Sequence, residues 1–307
     1  MGVWRILAVV VLALALLAGF GLRRNPPAPG VAFEVFFAST AVAESSGLAR
    51  SGHDATRFWT VNDSGNTPVL YALGLDGQIQ AALPVADALN VDWEDLAAFR
   101  MDAQPWLLIA DTGDNRALRP HVALYLVAEP AVLDGVDSLP LRRVLRLRYP
   151  DGPRDVEAVA VDEAAGQVYL LSKRDPLPRL YRLPLTVPGP ADAIHQAEAL
   201  GEIRIPRAES GTPWERNSYN WVTALDFDPA GRRAGVMTLS HLYLYPRRDG
   251  EDWAAALRRA PAAVIPLPGY TQMEAGSFSA DGRSWYLTSE NLPVPLARLD
   301  LPAQPAD

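Results

Sequence analysis

The sequence predicts an all-β protein built as a single β-propeller of four-stranded blades. An acidic signature recurs along the chain at intervals of about 48 to 66 residues, and short apolar runs separated by turn residues follow each copy. Four strands per unit at about this spacing are typical of a propeller. Five units can be counted, and six are possible if residues 184–220 hold a degenerate blade.

The acidic signature lies on the first predicted strand of each unit. Its full copies are residues 92–97 (DWEDLA), 154–160 (RDVEAVA) and 271–276 (TQMEAG). A weaker copy is residues 44–49 (ESSGLA), and residues 220–225 (NWVTAL) keep the frame with Thr223 in place of Glu. One carboxylate repeated at one frame position predicts that several segments direct negative charge to a common point.

The other strands are apolar runs rich in β-branched and aromatic residues. Second and third strands are predicted at residues 58–61 and 69–73, 106–109 and 122–127, 168–171 and 179–183, 234–239 and 242–245, and 284–288 and 295–299. Fourth strands are predicted at residues 143–148, 201–205 and 262–267, and residues 35–37 are predicted to close the ring as the fourth strand of the last blade. Asp76-Gly77 and Asp281-Gly282 predict hairpin turns, and short helices are predicted within residues 191–199 and 251–259.

The amino terminus predicts export. Arg5 precedes an apolar run over residues 6–22, so residues 1–24 form either a cleaved signal peptide or an uncleaved hydrophobic helix that anchors the chain in a membrane. Residues 25–33 are a Pro-rich linker, residues 34–301 the propeller and residues 302–307 a tail. Both alternatives place the body in the periplasm or on the extracellular face of the cell envelope.

Composition excludes several classes of function. The 307 residues include no Cys, which excludes disulfides, thiolate catalysis and thiolate metal sites. The formal net charge is −8, and it becomes −11 without the first 24 residues, which hold three Arg and no acid. Nucleic-acid binding is not expected, because phosphate contact needs a basic face. Such an acidic body suits cation binding or simple solubility.

The channel of the predicted propeller is expected to be acidic. Glu94, Glu157 and Glu274 occupy the same frame position on three first strands and should converge near the axis. Three carboxylates in a narrow channel repel one another, so a bound cation, a partner Arg or raised pKa values must relieve the repulsion. Oxygen ligands without His or Cys favour Ca²⁺. The alternative is that these side chains accept hydrogen bonds from neighbouring backbone or Arg groups.

A second set of acidic residues is predicted on the rim, where the second strands end. The loops Asn62-Asp63-Ser64-Gly65 and Ala110-Asp111-Thr112-Gly113 align as repeat equivalents, and Asp114, Asn115 and Glu290 belong to the same rim. We predict Asp63, Asp111, Asp114 and Glu290 as metal ligands and Asn62 and Asn115 as ligand-binding residues. Asx-turns that stabilise each loop are the alternative.

A basic edge interrupts this rim. Lys173, the only Lys of the chain, Arg174 and His241 follow the second strands of two other units. They are predicted to hold a phosphate or carboxylate, or else to neutralise neighbouring acids. The sequence has no Gly-x-Ser-x-Gly elbow, no phosphate-binding Gly-rich loop and no dinucleotide fingerprint, so it predicts no catalytic residue.

The motifs ESSGL, NDSGN, DWEDL and DTGDN over residues 44–115, followed by YPDG and DVEA over residues 149–158, resemble a mostly uncharacterised family of secreted or membrane-anchored bacterial β-propellers. That family is distantly similar to the phytase-like and SdiA-regulated propellers, some of which bind calcium. The resemblance implies that Glu94, Glu157 and Glu274 match channel acids of such folds. A phytase-like site gathers many Lys and Arg around a phosphate, whereas this chain has one Lys.

The sequence therefore predicts an exported, monomeric, calcium-binding propeller that recognises a small ligand or an envelope protein. The first alternative is a metal-dependent phosphoesterase, a phytase-like hydrolase in which cations activate water. The second is an interaction module with a satisfied polar channel and no metal. One axial ion indicates a structural role, whereas a pair of ions beneath an open rim indicates hydrolysis.

Overall fold

The computed structural model describes residues 30–37, 39–206 and 211–303. The predicted leader, residues 25–29 of the predicted linker and residues 304–307 of the tail lie outside this part of the chain. Within the described ranges, no helix is both long and apolar enough to cross a membrane.

The fold is a five-bladed β-propeller. Blade 1 consists of β2 (Ser45–Arg50), β3 (Arg57–Asn62), β4 (Val69–Gly74) and β5 (Ile79–Ala86). Blade 2 consists of β6 (Trp93–Met101), β7 (Gln104–Asp111), β8 (Val122–Ala128) and β10 (Arg143–Arg148). Blade 3 consists of β11 (Val156–Asp162), β12 (Gln167–Ser172), β13 (Arg179–Pro184) and β15 (Glu198–Glu202).

The last two blades follow the same plan. Blade 4 consists of β16 (Val222–Phe227), β17 (Arg233–Thr238), β18 (His241–Pro246) and β19 (Ala263–Pro266). Blade 5 consists of β20 (Ala275–Phe278), β21 (Ser284–Thr288), β22 (Pro295–Asp300) and β1 (Phe33–Phe36). A 3₁₀ turn (Thr40–Val42) and two short helices, α1 (Pro213–Ser218) and α2 (Trp253–Leu257), lie in the connections.

The ring is closed by the first strand of the chain. Strand β1 pairs antiparallel with β22, with Phe33 opposite Arg298 and Phe36 opposite Pro295. The inner strands contact one another around the axis in the order β2, β6, β11, β16 and β20, and β20 contacts β2 again. The prediction that residues 35–37 complete the last blade is confirmed.

Residues 184–220, where a sixth blade was possible, contain no further sheet among their described residues. Strand β14 (Ile194–Gln196) pairs parallel with β10, and β15 pairs with β13. The predicted helix within residues 191–199 is therefore wrong, because these residues satisfy the edges of blades 2 and 3. Similarly, the short β9 (Leu139–Pro140) extends blade 1 by pairing with β5.

The hydrophobic core is divided among the five gaps between adjacent blades. One apolar cluster fills each gap, and Trp59, Trp93, Trp253 and Trp285 are fully buried within these clusters. Because inner strands such as β11 are buried along their whole length, polar side chains there must find partners in the channel. The channel is therefore the place where buried charge accumulates.

Candidate functional site

The signature residue of four blades lies at a β-bulge in the inner strand. The pairing register shifts at Ser46 in β2, Glu94 in β6, Glu157 in β11 and Thr223 in β16. In blade 5 the equivalent Glu274 immediately precedes β20. A bulge turns an extra side chain away from the regular alternation. We call the end of the channel where these residues lie the channel mouth.

Blades without a signature Glu use a hydroxyl group at the bulge. Ser46 donates from Oγ to the Trp93 carbonyl at 2.8 Å, and Thr223 donates from Oγ1 to the Met273 carbonyl at 3.0 Å. Each of these bonds joins a blade to the next one around the ring. Thr223 therefore replaces an acid by a structural link.

The predicted channel acids converge on Lys173. Its Nζ is bonded to Glu157 and lies 3.2 Å from Oε2 of Glu274, and the side chain is only 7% exposed. Burial alone would lower the pKa of Lys173, but the carboxylates of Glu157, Glu274 and Glu94 raise it above its usual value. The ammonium group is therefore a permanent internal counter-ion.

The channel mouth holds more carboxylates than Lys173 can neutralise. Asp63, Asp92 and Glu94 form a first acidic group, and Glu94, Asp155 and Glu157 form a second, each with ligand oxygens within 4.8 Å of one another. In the second group, Asp155 and Glu157 are paired with Arg174 and Lys173. Among the described residues, no basic nitrogen lies within 4.0 Å of a carboxylate oxygen of the first group.

This excess of negative charge perturbs the acids around it. Burial, followed by the nearby Asp63 carboxylate, raises the pKa of Asp92 to about 6. Burial and the Glu274 and Asp63 carboxylates raise the pKa of Glu290 to about 8. Burial also raises the pKa of Glu94 well above its usual value, with a further contribution from Glu157. The mouth therefore needs protons or a bound cation.

These shifts predict that the cation-free protein loses stability as the pH rises. Between pH 4.5 and about 8, folded Glu290 keeps a proton that the unfolded chain has released, so the free energy of unfolding must fall over that interval. Urea denaturation in chelator should give a lower value at pH 8 than at pH 5. Glu290→Gln should reduce the difference, and equal stability at both pH values in the wild type would contradict the prediction.

The loop after β7 fits closely against the first acidic group. A Cβ on Gly113 would lie 2.5 Å from Asp92 Oδ2 and closer still to Glu94 Oε1, so a larger residue here would displace these two carboxylates. Asp114 accepts from the amides of Leu118 and Arg119 at 2.8 Å each. Asp111 forms a 2.7 Å ion pair with Arg119. The carboxylates of Asp111 and Asp114 therefore stabilise the conformation of this loop through hydrogen bonds and an ion pair within it.

Two of the other predicted rim residues, Arg174 and Asn115, lie together, whereas Asn62 lies apart from them. Arg174 donates from Nε to Asp155 at 2.6 Å, contacts Asn115 and lies 4.9 Å above the Trp221 ring. Asn62, at the end of β3, donates to the Ala41 carbonyl at 2.7 Å.

The structure places His241 in an aromatic contact on blade 4. Its ring lies 4.4 Å from that of Tyr219, and Nδ1 is 2.9 Å from Ser240 Oγ. Burial lowers the pKa of His241. Within the described chain, no ion pair joins His241 to an acid, so it is not part of either acidic group.

Sequence reasoning did not name Asp92, Asp155, Asp95 or Asp226 as site residues. The first two precede the signature Glu by two positions in DWEDLA and RDVEAVA, and this repetition was the available signal. Asp95 instead accepts from the amides of Leu96 at 2.7 Å and Val159 at 2.8 Å. Asp226 accepts from Arg50 at 2.7 Å and from the Phe278 amide at 3.0 Å. The carboxylates of Asp95 and Asp226 therefore join different blades through hydrogen bonds.

No protein-family model and no curated protein matches the chain. In the crystal structure of a nidogen/laminin complex, a chain matches with 14% identity and a TM-score of 0.42, over 80% of this chain and 73% of that one. The β-propeller domain of Myceliophteria thermophila Cps50 (Swd1) matches with 13% identity and a TM-score of 0.42, over 90% of this chain and 71% of that one. Similarities at this level carry no argument about function, which is therefore inferred from the geometry of the channel mouth.

Proposed function

We propose that this protein is an exported, calcium-binding recognition propeller of the cell envelope. The observation that carries the proposal is the first acidic group, in which Asp63, Asp92 and Glu94 bring oxygens within 4.8 Å of one another at the channel mouth. Among the described residues, no basic nitrogen lies within 4.0 Å of these three carboxylates, and protons or a cation would relieve their repulsion. A cation fixed there would order the rim loops and offer open coordination positions to a ligand.

The chemistry of the ligands favours calcium. The first acidic group offers only oxygens, which hard cations prefer, and the chain has no Cys. None of the four His belongs to either acidic group of the described residues. Calcium accepts irregular sets of six to eight oxygens, whereas Mg²⁺ demands near-octahedral geometry. Asp63 lies on an open loop, so water or a ligand can complete the shell.

Recognition at the mouth would combine this cation with the predicted ligand-binding residues Asn115 and Arg174. Arg174 pairs with Asp155 and contacts Asn115, and both Arg174 and Asn115 are exposed whereas Asp155 is buried. A carboxylate or phosphate on a small ligand or an envelope protein could then bind the cation and the guanidinium together. The predicted amino-terminal segment would carry the propeller to the envelope, either released or tethered.

Calcium is expected to raise the melting temperature of the purified protein by several degrees. Selective binding to the folded state adds about 2.7 kcal/mol at a concentration 100 times the Kd. Asp92→Asn should abolish most of this shift, whereas Asp137→Asn, an exposed acid on a loop, should keep it. The measurement is thermal unfolding in chelator and in millimolar calcium. Identical melting in both solutions would overturn the proposal.

The overlap of the two acidic groups favours a second candidate, a calcium-dependent phosphoesterase. Glu94 belongs to both groups and would be a ligand common to two cations if each group held one, as two-metal hydrolases require. Counting ions per chain separates the candidates, since one ion supports recognition alone and two support hydrolysis. Turnover of a phosphate monoester that is equal in the wild type and in Glu94→Gln would exclude the second candidate.

A further inference from the structure

Four exposed aliphatic side chains lie on loops at the channel-mouth end of the propeller. Leu89 and Val91 precede β6, Leu118 follows β7 and Leu292 follows β21, with 69%, 52%, 71% and 50% of their surfaces exposed. Strand β6 begins and β7 ends at the mouth, and β21 likewise ends opposite the start of β20. We call these four residues the apolar rim.

The loops before β6 and after β7 lie against the first acidic group. Asp92 directly follows Val91, and its carbonyl accepts from the Gly113 amide at 3.2 Å. Asn90 donates to the Asp63 carbonyl at 2.9 Å. The loops that expose three side chains of the apolar rim are therefore fixed beside this group.

The loop after β21 approaches the same group from blade 5. The Asn291 amide, next to Leu292, donates to the Ala43 carbonyl at 2.8 Å, and the Asp63 amide donates to the Glu44 carbonyl at 2.9 Å. The segment before β2 thus links the loop of Leu292 to that of Asp63. The apolar rim therefore extends on both sides of the Asp63 loop, from blade 5 to blade 2.

The chemistry of these loops favours a membrane surface over a protein partner. Residues 87–92, 112–121 and 289–294 contain no Phe, Tyr or Trp. The energetically dominant residues of protein interfaces are enriched in Trp, Tyr and Arg, whereas Leu and Val are under-represented. Aliphatic side chains on separate loops can enter a bilayer without complementary pockets, and membrane binding grows with the apolar area that enters.

The charge of this face makes such contact dependent on a cation. Asp87 is exposed on the loop before β6, and the first acidic group adds three carboxylates, so the cation-free face repels anionic headgroups. Calcium at this group would reverse the local repulsion and accept a lipid phosphate as an oxygen ligand. Arg116, which is exposed on the same loop as Leu118, adds a positive charge.

We propose that this face docks on an anionic lipid bilayer when calcium is bound, with a lipid phosphate on the calcium and the apolar rim in the membrane interface. The inference rests on the proposed function, because the calcium at the first acidic group is what the phosphate binds. It identifies the ligand of the mouth as a membrane surface.

The test uses the full chain with an environment-sensitive dye on the apolar rim. Because the sequence has no Cys, Leu118→Cys provides one thiol for labelling with NBD. With vesicles of phosphatidylglycerol and phosphatidylcholine, calcium should increase the NBD emission and shift it to shorter wavelength, and chelator should reverse both changes. Val132→Cys is the matched control, since Val132 is 65% exposed on the connection after the far end of β8 and should give no response. The readout is local, so insertion of the predicted amino-terminal segment into the vesicles does not produce it.

Thermal unfolding in calcium without vesicles separates this inference from the proposed function. A calcium-dependent rise in melting temperature with no vesicle response at position 118 would overturn membrane docking and leave calcium binding intact. An equal dye response to calcium without vesicles would indicate a second copy of the chain and would also overturn docking, as would an equal response at position 132. A vesicle response that persists in chelator would overturn the role of calcium.

Leu89→Ser tests the apolar rim in the labelled Leu118→Cys protein. It should raise the calcium concentration at half-maximal vesicle response by about five- to tenfold, because docking and calcium binding are linked and one aliphatic side chain no longer leaves water. Val264→Ser, at an exposed position on β19 of blade 4, should leave that concentration unchanged. Both variants should keep the calcium-induced rise in melting temperature without vesicles. Equal effects of the two substitutions would overturn the assignment of the apolar rim.

Discussion

Lys173→Met is expected to lower the free energy of unfolding by about 3 to 5 kcal/mol, because it removes one partner from a buried charge pair. The ammonium is bonded to Glu157 and lies 3.2 Å from Glu274, and the Lys173 side chain is 7% exposed. Without it, these carboxylates would face one another in the channel mouth with no positive charge between them. Met fills a similar volume, so the loss reports charge rather than a cavity.

The neighbouring Arg174 provides the matched control for this substitution. Its side chain is 38% exposed and pairs at 2.6 Å with the buried Asp155, so Arg174→Gln should cost less than the loss of Lys173, whose side chain is 7% exposed. Urea denaturation of the two variants in chelator gives the comparison. A loss in Lys173→Met no larger than in Arg174→Gln would show that Lys173 is not the counter-ion.

Calcium and acid should both partly restore Lys173→Met. A cation in the second acidic group would replace the missing ammonium, so calcium should stabilise this variant more than the wild type. Low pH should act in the same direction, since burial and the absence of Lys173 favour the protonated form of Glu157. A variant that responds to neither calcium nor acid would contradict the proposed charge balance of the mouth.

The sequence alone predicts the ring of blades and the convergence of the signature acids. Glu94, Glu157 and Glu274 occupy one frame position, and a repeated fold converts equal positions into neighbours around an axis. The closing strand was also predictable, because the last unit lacked a fourth strand and residues 35–37 were free to supply it. These predictions rest on local patterns that repeat.

The contacts across the axis could not be predicted, since they depend on closure of the ring. Lys173 follows Ser172 at the end of β12, where the sequence placed it on an open rim, and only the positions of Glu157 and Glu274 show that its amine enters the channel. The bulges matter in the same way. A single inserted residue redirects Glu94 without altering the pattern of the strand.

Asp95 depends on ring closure in the same way. Its carboxylate accepts from the Val159 amide 64 positions away and from the Leu225 amide 130 positions away, in two other blades. No local signal distinguishes it from an exposed Asp, apart from its place after the signature Glu94. The inner strand is an edge strand, so the amides that it turns towards the channel need acceptors from outside their own sheet.

Asp95→Ala is therefore expected to cost several kcal/mol, about as much as the loss of Lys173. It would leave the amides of Leu96, Val159 and Leu225 buried without this acceptor, at about 1 to 3 kcal/mol for each fully unsatisfied group. Asp95 accepts from Leu96 at Oδ1 and from Val159 and Leu225 at Oδ2, so Asp95→Asn keeps one acceptor oxygen and turns a donor towards the remaining N–H. Burial raises the pKa of Asp95 well above its usual value, and the neutral Asn should therefore lose less than Ala but more than nothing. Denaturant unfolding of both variants is the measurement. Equal losses would mean that one retained acceptor oxygen is not enough to hold blades 2, 3 and 4 together, whereas a small loss in Asp95→Ala would mean that ring closure does not need this carboxylate.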